Sequence, residues 1–188
     1  MLAIYKKEMR GYFTTPLGYV FIAVFLAVSG FMFAVATLQS GTSDVSGYFQ
    51  LMIFGYIVIV PLLTMRSFSE ERRTRTEQLL LTSPVSLFSI VMGKYLAAFT
   101  LFLIAECIVF VYALLLRYLG SVVWTSLIGN FAAMLFLGAA FIAIGLFVSS
   151  LTENQMSAAV VSFVVMIVFY LFCVYYKKSE CMWKVYKS

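Results

Sequence analysis

The sequence predicts an all-α integral membrane protein with about five transmembrane helices, an amphipathic interfacial helix before them and a polar helical segment between spans 2 and 3. Three observations carry that prediction. Of 188 residues, 63% are hydrophobic and 11% charged, with a mean hydropathy of +1.01. A soluble domain carries about a quarter charged residues, so this chain lacks the means to cover a water-facing surface. Its apolar residues fall into runs of about twenty, the length a helix needs to cross roughly 30 Å of hydrocarbon. Finally, Lys and Arg gather before the first run and between the second and third, while the gap between the first and second has none, the asymmetry that orients membrane helices.

Residues 1–15 place Leu2, Tyr5, Met9, Tyr12 and Phe13 three and four apart, with Lys6, Lys7, Glu8 and Arg10 among them. That spacing predicts a short amphipathic helix lying in the interface. Pro16 suits the first turn of a new helix, where a missing N–H costs nothing. The first span runs from Leu17 to Leu38. It is too long for a signal-peptide apolar region and reads as a retained membrane helix. A polar connection, Gln39 to Gly47, leads to a second span over Tyr48–Met65, with Pro61 expected to kink its end.

Arg66–Lys94 is the one substantial polar stretch. Ser67 with Glu70 three residues on fits a capping box and predicts a helix through EERRTRTEQLLLT. Ser83-Pro84 reads as an N-cap and first-turn proline. The helix it starts leads into the third span, Tyr95–Leu116, and is long enough that its beginning is expected along the interface or in the cytoplasm. The fourth span, Trp124–Ser149, carries Gly129, Ala133, Gly138, Ala139, Ala143 and Gly145. Small residues at this spacing permit close helix contact, read first as packing within the chain and second as a dimer seam. After a turn, the fifth span covers Ser157–Tyr176, and residues 177–188 form a basic tail. The domain scheme is therefore 1–15, 16–176 and 177–188.

Orientation follows from charge. Lys6, Lys7 and Arg10 precede the first span, and Arg66, Arg72, Arg73, Arg75 and Lys94 lie between the second and third. The 39–47 loop has no Lys or Arg, so the amino terminus is expected in the cytoplasm. The tail, with Lys177, Lys178, Lys184 and Lys187, opposes this scheme, because five crossings put it outside.

Several functions are excluded. The net charge of +5 sits beside the spans, where it serves topology and anionic lipid, not nucleic acid. The absence of histidine removes His-based triads, proton relays and most zinc sites. Cys107 and Cys173 lie within apolar runs and read as small packing residues. An intramembrane enzyme has no aspartate pair or His to build a site from. No G-x-x-x-x-G-K-[ST] occurs, so the chain has no P-loop for ATP.

FSEERRTRTEQLLLTSPVSLFSIVMGKYLA, together with KKEMRGYFTTPLGYVF, resembles the permease subunits of type-2 ABC exporters, closest to the compact gliding-motility and copper-enzyme-maturation branch. The likeness covers about residues 4–170. It implies a membrane permease, not itself an enzyme, in the bacterial inner membrane. The implied partners are a separate ABC ATPase that carries ATP and Mg, a second permease subunit and membrane lipid. It also implies a coupling helix between spans 2 and 3. Leu79, Leu80 and Leu81 would anchor in the ATPase, with Glu70, Glu71, Arg72, Thr76, Glu77 and Pro84 around them. For the arginines, simple positive-inside anchoring is the equal alternative. The family has six spans, so a sixth is expected after the fifth, and its loss would account for the tail conflict. A non-transporting scaffold or immunity-type partner of an ATPase is the alternative function.

Glu106 is the one acidic residue in the middle of a span. Its insertion costs about 2.5–3.5 kcal/mol against about 0.3–0.6 returned by each Leu, Ile, Phe or Val. It is expected to face protein, lining a subunit interface or substrate path, or else to be a hydrogen-bonded structural acid.

Overall fold

The structure is a computed structural model and describes residues 2–38, 46–65, 67, 87–119, 124–152 and 154–186. Among these residues there are helices and turns and no strand. The helices are α1 (Leu2–Thr14), α2 (Pro16–Phe33), α3 (Ser46–Thr64), α4 (Leu87–Glu106), α5 (Ile108–Leu119), α6 (Trp124–Leu151) and α7 (Gln155–Tyr186). Five stretches are long and apolar enough to cross a membrane: Gly18–Thr37, Gly47–Thr64, Phe88–Leu115, Trp124–Leu151 and Gln155–Tyr176.

Helix α3 is the hub, packed against α2, α6 and α7, while α4 packs against α1, α2 and α6. In lipid there is little hydrophobic drive between helices, so close packing and internal hydrogen bonds must hold such a bundle. Large side chains fill the middle. Phe25, Tyr56 and Phe102 are fully buried and meet with ring centroids 5.2–6.2 Å apart. Two glycines of α6 make room for this. A Cβ on Gly138 would collide with the Phe102 ring, and one on Gly145 with Thr64 of α3. Both glycines thus serve contact within the chain, whereas Gly129 faces open space and Ala133 and Ala143 are exposed.

Two spans depart from simple helix. Residues Ala34–Leu38 form a π-turn that ends the first span. This wider turn accompanies an inward Thr37 and lets Phe33 stack on Tyr112 of α5 at 4.4 Å. The third span is interrupted at Cys107, where the Phe110 N–H donates to the Cys107 carbonyl at 3.2 Å, a tighter turn than the α-helix makes. Neither break is visible to hydropathy. Pro61 lies inside the last turn of α3, as its position in the sequence indicates.

Other details differ from expectation. Cys107 and Cys173 are exposed on the bundle surface and do not pack within the chain. The third apolar stretch starts at Phe88, seven residues before the expected Tyr95, and Lys94 within it is buried. Helix α7 carries on without interruption through residues 177–186. It starts at an Asn154 cap, whose side-chain oxygen accepts from the Met156 N–H at 3.2 Å.

Candidate functional site

The residues to which the sequence assigns ATPase coupling, namely Glu70, Glu71, Arg72, Thr76, Glu77, Leu79, Leu80, Leu81 and Pro84, lie outside the described residues, as does the helix expected over Glu70–Thr82. The junction on which that stretch is mounted is described. At the end of α3, the Met65 N–H donates to the Pro61 carbonyl at 2.9 Å and the Ser67 N–H to the Thr64 carbonyl at 3.1 Å. Side chains from other helices then take the carbonyls that follow. The Ser149 hydroxyl of α6 donates to the Met65 carbonyl at 3.3 Å, and the Lys94 ammonium of α4 to the Ser67 carbonyl at 2.7 Å. The same ammonium donates to Glu8 Oε1 of α1 at 3.1 Å.

Lys94 is 2% exposed and Glu8 17%. A lysine near a helix end in a membrane protein ordinarily extends its charge toward water. Here the charge turns inward, which is tolerable because a carboxylate and a carbonyl receive it. Glu8 changes the reading of α1. Its protein-facing side is Ile4, Tyr5, Glu8, Met9 and Tyr12, while Leu2 and Phe13 are exposed. Burial, and after it the Glu8 carboxylate, push the Tyr12 phenol well above its ordinary pKa. Two further contacts seat α1 on α4. The Tyr5 hydroxyl donates to Thr100 Oγ1 at 3.2 Å, and Gly93 lies so close that a Cβ there would stand 2.9 Å from Ile4 Cγ2.

Deeper in the bundle lies a second polar group. Glu106 ends α4 immediately before the break and is fully buried. The Tyr56 phenol of α3 sits beside its carboxyl, yet neither group has a partner in good hydrogen-bonding geometry among the described residues. Toward the π-turn, Ser29 and Tyr48 share a buried 2.8 Å hydrogen bond, and Tyr48 meets the edges of Phe33 and Tyr112. Glu106 therefore faces the interior of its own chain and not an outer surface. Glu8, Ser29, Tyr48 and Tyr56 had no role in the sequence reading. The acidic residue on the apolar side of α1 was the available signal for Glu8. The tyrosines and Ser29 gave none, being ordinary members of apolar runs.

A family model described as an ABC-2 family transporter protein matches residues 2–176. The chain belongs to the ABC-2 transporter family. It is thus an ABC transporter permease, a multi-pass membrane component of transport, in agreement with the resemblance carried by its amino terminus and its 66–94 stretch. No curated protein and no solved structure gives a significant match. Among the described residues of this ABC-2 permease, no cluster of His, Cys, Asp and Glu has the arrangement of a metal site.

Proposed function

We propose that the chain is the membrane half of an ATP-driven exporter, powered by a separate ABC ATPase that binds ATP and Mg and docks on the Glu70–Thr82 segment. In this reading the amino terminus and the 66–94 stretch face the cytoplasm, in a bacterial inner membrane, and a second permease subunit completes the pathway. Family membership supports the ATPase partner in general. The observation that carries the reading is the junction itself. The residue where α3 runs out, Ser67, and a residue near the start of α4, Lys94, are hydrogen-bonded to each other. Both roots of the polar stretch are thereby fixed at one place on the bundle, and a push on the stretch reaches two spans together. Rigid-body movement of packed helices is how such a push becomes a change of access.

The test is co-purification with the ABC ATPase and its hydrolysis rate in lipid. A buried leucine anchor contributes about 1.5–3 kcal/mol, so Leu80→Asp should weaken the complex about ten-fold or more while the permease stays inserted. Glu77→Lys should cost less affinity, since a rim charge chiefly sets register and on-rate. Unchanged binding and hydrolysis in both variants would reduce the segment to a topology anchor. A bound, hydrolysing ATPase with no transport would favour the scaffold.

A further inference from the structure

We infer that Lys94 is a positioning residue of the transport cycle, pinning the interfacial helix α1 and the exit of α3 to the start of α4 so that the three respond to the ATPase as one body. The inference rests on the proposed docking of an ATPase on the 66–94 stretch and adds where the resulting force goes.

The geometry is specific. One ammonium, 2% exposed, joins Glu8 at 3.1 Å and the Ser67 carbonyl at 2.7 Å, partners 86 and 27 residues away in sequence. A topology-anchoring lysine needs neither contact and would stay in water. Burying the charge is costly, and each donor bond is directional, so Lys94 holds its partners in one relative placement. Helix α1 is held to α4 at further points, by Tyr5 on Thr100 and by the close approach of Ile4 to Gly93. These contacts span two turns of α4, enough to fix a helix against sliding as well as against lifting away. The Ser67 bond is the one link in this set that reaches the chain leading to the docking segment. Without it, movement at Ser67 passes into α3 and the helices packed on it. With it, the same movement also acts directly on α4 and, through Glu8, on α1.

The experiment uses the permease with its ABC ATPase in nanodiscs, with the three native cysteines replaced. A nitroxide is placed at Lys6→Cys, on the exposed side of α1. Its spectrum is compared without nucleotide and with Mg·ATP and vanadate. In the otherwise native protein the label should respond to nucleotide. Lys94→Met, which keeps the length of the side chain and removes the charge, should leave the ATPase bound and hydrolysing. It should raise label mobility and abolish the nucleotide response. Glu8→Gln should raise mobility with the Ser67 bond intact, and Lys94→Arg should restore the response. If Lys94→Met does not accumulate, Glu8→Gln tests the α1 side of the pin alone. Unchanged mobility and an unchanged response in Lys94→Met and Glu8→Gln overturn the inference. If no ATPase co-purifies with the native permease, the docking reading fails. Label mobility then judges the pin separately, and the same mobility in all variants overturns it.

Discussion

Adding a single methyl group at Gly145 should destabilise the bundle, and the size of the effect can be worked from the contact it would make. An ideal Cβ there stands 2.9 Å from Thr64 Cβ and 3.0 Å from Thr64 Cγ2, where ordinary contacts lie at 3.4–4 Å. Thr64 is in no position to yield. It ends α3, it is fully buried, and its hydroxyl donates to the Val60 carbonyl at 3.2 Å. Relief must come from moving α6 off α3, the most extensive contact in the bundle. Overpacking of this kind costs about 1–3 kcal/mol. Replacing Gly by Ala in a helix returns about 0.5–1 kcal/mol, leaving Gly145→Ala about 0–2.5 kcal/mol less stable than the native chain and about 1–3 kcal/mol less stable than a variant that gains the helix term alone. Gly129 is the control, because nothing lies within 4 Å of its added methyl. Gly129→Ala should gain the helix term alone. Unfolding of the two variants in mixed detergent micelles, followed by helical circular dichroism, measures the difference. Equal stability of Gly145→Ala and Gly129→Ala would refute the assignment of Gly145 to the α3 contact.

Two more outcomes follow from the same helices. Glu106→Gln should insert and accumulate normally, since an amide fits the same buried place without a charge. Glu106→Leu removes a buried carboxyl that has no well-formed hydrogen bond among the described residues, so it should insert and melt in lipid at least as well as the native chain; a clear drop in melting would mean that the carboxyl and the Tyr56 phenol support each other. For topology, single cysteines at Asp44 and Arg73 should react with an impermeant maleimide from opposite sides of the membrane, and same-side labelling would reverse the proposed orientation.

The spans were legible because a membrane helix announces itself locally. Twenty apolar residues between polar connections leave few alternatives, and the first span, read as Leu17–Leu38, appears as Gly18–Thr37. The interruptions were not legible. The π-turn at Ala34–Leu38 and the break at Cys107 change which carbonyl an amide meets, and they leave hydropathy untouched. The junction was half visible. Glu8 and Lys94 could each be seen as charges beside a span, but their pairing depends on how α1 lies along α4, a register that no local pattern encodes. Cys107 misled for a related reason. An apolar run shows that a residue lies in the membrane, not which way it faces.

The carbonyls that close α3 have a consequence for how the molecule is made. Met65 and Ser67 receive their donors from Ser149 and Lys94, which lie 84 and 27 residues further along the chain. A ribosome delivers α3 to the membrane well before either donor exists, so this end of the hub helix is in place before the side chains that bond its last carbonyls. It is sealed in two stages, first when α4 arrives and finally when α6 has been threaded across. The last turns of α3 thus complete these two contacts in the order in which synthesis supplies α4 and α6.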